Sequence, residues 1–159
     1  MRTLGVEPTQ PTWNDTMYSI THNFPINAEP IDVWNAVALP EGLDEWWTMT
    51  SKGTPTVGST YLLYFGPEYH WKAEVTRSEP GVCFELVLTE AEEDWKGSVV
   101  GFDLEPLKKG TRVAFVHSGW PEANGHYKTS SYCWAMYLRI MKRFVEFGEH
   151  VEYSQRLSV

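Results

Sequence analysis

Apolar and polar positions alternate with period two through "YSITHNFPI", where Tyr18, Ile20, His22, Phe24 and Ile26 share one face, and this predicts a strand with one side covered. The same period returns in "TYLLYF", "YHWKAEVTRSE", "VCFELVLTE", "GSVVGFDLEPL" and "TRVAFVHS". Short turns rich in Gly, Pro and Lys separate these five runs, which predicts an antiparallel meander. From about Tyr127 to about Val151 the period changes to 3.6. Trp134, Tyr137, Leu138, Met141, Phe144 and Val145 gather on one side of this helix and Arg139, Lys142, Arg143, Glu146 and Glu149 on the other. Thr129, Ser130 and Ser131 are available as caps near its start.

Between the first strand and the meander lies "VWNAVALPEGLDEWW", which predicts two short amphipathic helices, the second opened by Pro40. Residues 1–16, with two prolines, read as an extended tail, and 17–159 as a single domain. The predicted architecture is α+β, a curved antiparallel sheet wrapped around a long C-terminal helix, because that packing covers both the strand faces and the helical stripe. The inward parity then contains Trp71, Ala73 and Val75, Phe84 and Leu86, Phe102 and Leu104, and Phe115 and His117. The parity of "TYLLYF" is ambiguous.

Composition narrows the function. Aromatic residues make up 14% of the chain, with eight tryptophans, which favours large rings around a core or cavity. The net charge of -8 repels phosphate backbones and anionic membranes, and no basic patch offsets it; "RIMKRF" is the wet side of the helix. Neither nucleic acid nor a membrane is expected as a partner. No run reaches the length of apolar residues that a membrane span requires. Cys83 and Cys133 lack metal or redox spacing and read as buried free thiols, so a reducing, cytoplasmic setting is expected.

Two segments carry a family resemblance. "INAEPIDVWNAVALPEGLDEWW" and "GFDLEPLKKGTRVAFVHSGWP" resemble the opening strand and helices and the paired final strands of the helix-grip proteins. These are the START-like, birch-pollen-allergen-like superfamily, also called SRPBCC, and within it the activator of heat-shock-protein-ninety ATPase homologues are the family resembled. The resemblance covers roughly residues 17–151 and implies a cavity between sheet and C-terminal helix. Superfamily members include lipid and hormone carriers, cyclases and chaperone regulators, so the resemblance names no ligand.

The candidate chemistry is correspondingly apolar. Glu74, Glu85, Asp103 and Glu105 alternate against inward residues and should point outward as a charge ladder beside Lys72 and Arg112. The loop "TEAEEDWKG" reads as solvated. None of the five histidines has metal spacing, Ser118 has no nucleophile elbow and no glycine loop cradles phosphate, so no motif calls for a cofactor or a metal. His22 and His117 share an inward parity; each is either a core histidine or a ligand contact or general base. Of Trp46 and Trp47, one should seal the core and the other lean toward the cavity mouth, since adjacent helical residues diverge. Trp71 and Trp134 read as wall, and Phe84, Phe102, Phe115, Leu138 and Met141 complete the candidate lining. Gly148 interrupts the apolar stripe, marking either a close helix contact, the fraying end of the helix, or room left for a ligand. The expected function is binding of a small apolar or aromatic molecule, with a homodimer left open. Alternatives are a cyclase, dehydratase or hydrolase using His117 or His22, and an ATPase-regulating cochaperone domain.

Overall fold

A computed structural model describes residues 17–159; the proposed N-terminal tail lies outside the described residues. The chain runs β1 (Tyr18–Ile26), α1 (Pro30–Ala38), α2 (Pro40–Leu43), β2 (Thr50–Lys52), β3 (Thr60–Tyr64), β4 (His70–Glu79), β5 (Cys83–Glu90), β6 (Val99–Pro106), β7 (Thr111–Trp120) and α3 (Gly125–Phe147), and ends in a 3-10 helix, Tyr153–Ser158. The strands form one antiparallel sheet in the order β1-β7-β6-β5-β4-β3-β2, curved around α3 in the predicted helix-grip manner. β1 closes the sheet against the last strand, pairing His22 with Phe115 and Ile20 with His117.

Alternation decides which side chains enter the core. Ala73, Val75, Leu86, Leu88, Val100 and Val113 are buried on the concave side. Tyr61 and Leu63 join them, which settles the parity of β3, and the Tyr61 hydroxyl donates to the Ala38 carbonyl at 2.6 Å. The outward residues form the expected ladder: Arg77 reaches Asp103 at 2.7 Å and Glu85 at 3.4 Å, Lys72 meets Glu90 at 3.3 Å, and Arg112 meets Glu105 at 3.3 Å. In solvent such pairs contribute less than about 1 kcal/mol each.

Two elements differ from the sequence pattern. β2 is a seventh strand of three residues, too short and too polar to show a period. α3 begins earlier than expected because Asn124 caps it, its side chain accepting from the Tyr127 amide at 3.0 Å, while Ser130 is buried within the helix. The helix also ends earlier, at Phe147. Gly148 takes φ 66° as a left-handed cap, its amide bonded to the Phe144 carbonyl. α2 lies tight on α1: a Cβ at Gly42 would collide with the Asn35 carbonyl.

Candidate functional site

The double tryptophan resolves into two roles. Trp46 is fully buried and its indole donates to the Ala36 carbonyl at 2.8 Å, which fixes α1 to the turn after α2. Trp47 belongs to a cavity of about 370 Å³ between α3, the ends of β3 and β4, the β5–β6 turn and the C-terminal 3-10 helix. Five aromatic rings of its lining form a closed circuit. Successive centroids stand 5.4 Å apart from Trp47 to Phe65, 4.8 Å to Trp71, 5.1 Å to Trp95, 5.7 Å to Trp134 and 5.2 Å back to Trp47. Tilted, edge-on and offset-stacked contacts of this kind are favourable between ring quadrupoles, so the circuit holds its own shape. Trp47 and Trp134 are its buried members, whereas Phe65, Trp71 and Trp95 are only partly covered.

Polar groups stand around these rings. Tyr69, Glu92, His126, Ser130, Cys133 and Tyr137 complete much of the lining, with Tyr153 and Leu157 from the chain terminus. Burial pushes the Tyr137 hydroxyl up to about 12 and also raises the Cys133 thiol, so both are protonated at neutral pH. His126 Nδ1 lies 2.9 Å from Asp94, and this hydrogen bond, ahead of a smaller opposing effect of burial, holds the Asp94 carboxyl below its ordinary range. The other ring nitrogen is 3.6 Å from Glu92.

The C-terminal segment is pinned across the cavity by one cation. Arg156 is 2% exposed, and its guanidinium donates to the carbonyls of Val151, Thr48 and Asp44 at 3.1, 3.1 and 2.6 Å. Tyr153 adds a bond from its hydroxyl to the Phe65 carbonyl at 2.8 Å. His150 contacts Glu45 at 2.6 Å, and that hydrogen bond raises its pKa.

Several expected site residues lie elsewhere. His117 is 0% exposed and both of its nitrogens are used: Nδ1 accepts from the Trp134 indole at 3.0 Å, which leaves the proton on Nε2, 2.8 Å from the Ser98 hydroxyl. Ser98 in turn donates to the Trp95 carbonyl at 2.5 Å. His117 is therefore a core strut linking α3 to the β5–β6 turn behind the aromatic circuit, with no nitrogen free for a ligand or a substrate proton. Burial drives its pKa down to about 3, with the charge of His126 a lesser cause, so it is neutral as its apolar face implied.

His22 stacks on Phe115 at 6.1 Å and, with Leu138, lines a separate groove between β1 and α3 that also carries Arg139 and Lys142. Phe84, Phe102, Phe115, Met141 and Trp46 close the core and do not border the cavity, because this part of α3 lies directly on the sheet. Gly148 is exposed, and a Cβ there would meet nothing within 4 Å. It ends the helix and leaves no ligand space. Trp47, Trp71 and Trp134 remain as lining. Sequence patterning does not point to Phe65, His126, Tyr153 or Leu157. Trp95 did carry a signal: a large indole inside the charged loop "TEAEEDWKG" needs cover that the loop cannot supply. Among the described residues, no group of His, Cys, Asp and Glu is arranged to hold a metal, and no helix is long and apolar enough to cross a membrane.

The family described as Activator of Hsp90 ATPase homolog 1-like protein matches residues 27–146. Among solved structures, the Aha1 dimer from Colwellia psychrerythraea superposes with a TM-score of 0.75 at 29% identity, covering 83% of this chain and 98% of that one. MLL2253 from Mesorhizobium loti gives 0.73 at 21% identity, over 83% of this chain and 99% of that one. CalU16 from Micromonospora echinospora gives 0.65 at 18%, over 89% and 81%. The last two show likeness of fold alone. No curated protein matches the chain significantly.

Proposed function

The chain belongs to the Activator of Hsp90 ATPase homolog 1-like protein family, and on that footing we propose that it binds a small apolar or aromatic molecule in the cavity between sheet and C-terminal helix. The closed aromatic circuit carries this reading. Phe65, Trp71 and Trp95 keep ring surface uncovered at the cavity while Trp47 and Trp134 support them from behind. A bound ring that removed roughly 200 Å² of apolar surface from water would gain about 5 kcal/mol before the costs of association. Since about 5 kcal/mol corresponds to a Kd of about 0.2 mM before those costs, weak binding near the millimolar range follows, with tyrosine and histidine at the edge to orient a polar substituent.

N-Phenyl-1-naphthylamine, a neutral aromatic dye that brightens in apolar surroundings, tests the proposal. Its fluorescence is expected to rise on titration with the protein, and Trp71→Ala to weaken binding about tenfold by removing one wall of the circuit. A wild-type protein that leaves the dye dark would sink the reading. The dimeric Colwellia relative supports a homodimer for this chain as well. Light scattering should then return twice the 18.3 kDa chain mass, and a monomer at every concentration would count against it.

A further inference from the structure

We infer that the ligand of this cavity is a cation, an alkylated ammonium carried on an apolar or aromatic body; this rests on the binding reading above and specifies its ligand. Two independent observations point to it. The first is the circuit itself: Phe65 and Trp71 are partly covered rings at the cavity, and the negative side of a ring quadrupole attracts a cation within about 6 Å. The second is the charge at the rim. Glu92 is the carboxylate side chain of the lining, and neither lysine nor arginine is among the lining residues. The Arg156 guanidinium, 5.3 Å from the Tyr153 ring, is not among the lining residues and donates to three backbone carbonyls.

Geometry ties the carboxylate to the rings. Glu92 and Trp95 share one turn, closed by the Trp95 amide bonding to the Glu92 carbonyl at 2.9 Å. Trp95 then stacks on Trp134 with an interplanar angle of 20°. His126 does not cancel the charge of Glu92. With Asp94 accepting from Nδ1, a neutral ring turns a lone pair on Nε2 toward Glu92, 3.6 Å away; a protonated ring is shared between two carboxylates. The group of Glu92, Asp94 and His126 is net negative in either state. Alkylation matters because a quaternary ammonium sheds water at much smaller cost than a primary one, and so can sit against indole without a full set of hydrogen-bond acceptors.

Displacement of N-phenyl-1-naphthylamine by two isosteric competitors decides it: trimethylphenylammonium and neutral tert-butylbenzene, which differ in charge and hardly in shape. The cation is expected to displace the dye about tenfold more effectively. Glu92→Gln should cut that preference to about threefold without changing the affinity for tert-butylbenzene, while Glu93→Gln, the same charge change on a neighbouring residue outside the lining, should leave the preference intact. Equal displacement by the two competitors would overturn the inference while leaving the binding reading standing, as would identical behaviour of the two glutamine variants. Failure of the dye to bind at all would remove the binding reading, and this inference with it.

Discussion

The protein is expected to lose about 4–5 kcal/mol of unfolding free energy between pH 6.5 and pH 3 through His117 alone. In the folded state burial holds its pKa near 3, whereas the unfolded chain restores the ordinary value of 6.5. Over the interval between them the unfolded state takes up a proton that the folded state refuses, so stability is fully present above pH 6.5, falls as the pH drops, and levels off near pH 3. His150 acts in the opposite sense, because its partner Glu45 raises its pKa: its contribution is present at low pH and lost as the pH rises through the raised value. Asp94, with a lowered pKa, loses its contribution as the pH falls. Both groups are retained in His117→Phe, so the difference between the wild-type and variant profiles isolates His117. The variant should be less stable at pH 7 by about 1–3 kcal/mol, since the Trp134 indole N–H loses its buried acceptor, and should show a correspondingly flatter acid limb. Urea denaturation at several pH values reads both quantities. Parallel acid limbs would show that His117 is not the group responsible.

Arg156→Met should release the C-terminal segment at a cost of about 3 kcal/mol. The methionine keeps the apolar stem but leaves the carbonyls of Asp44, Thr48 and Val151 without their donor, in a position that water does not reach easily. Because Tyr153 and Leu157 lie in that segment and line the cavity, affinity for the dye should fall as well. Hydrogen exchange across residues 148–159 separates local release from general unfolding: fast exchange confined to this segment, with the sheet still protected, is the expected pattern. A segment that stays protected in the variant would mean that Arg156 is dispensable to its docking.

The faces of the strands, the long helix, the two short helices and the outward charge ladder were all legible in the sequence. Periods of two and 3.6 are local properties, and a sheet or helix with one apolar face has few ways to bury it. The same alternation made His117 neutral by placing it among Val113 and Phe115. Trp46 and Trp47 were expected to diverge as helical neighbours, but α2 ends at Leu43 and the two rings follow it in a turn, stacked at 6.1 Å. Periodicity can say that Phe102, Phe115 and Met141 face inward. It cannot say whether the layer above them touches, and here α3 lies on them while it stands off the sheet at Trp71 and Trp95. His117 and His22 share an inward parity, yet β1 carries His22 to a separate groove on the far side of α3, and Trp134 and Ser98 occupy both nitrogens of His117. Gly148 fell in phase with the apolar stripe, but the helix had already ended one residue before it. Only the tertiary structure brought Trp95 and Glu92 from an acidic turn, and Tyr153, Arg156 and Leu157 from an aperiodic terminus, to the same cavity. Those positions depend on turn closure and on long-range hydrogen bonds to backbone carbonyls, which leave no repeating mark along the chain.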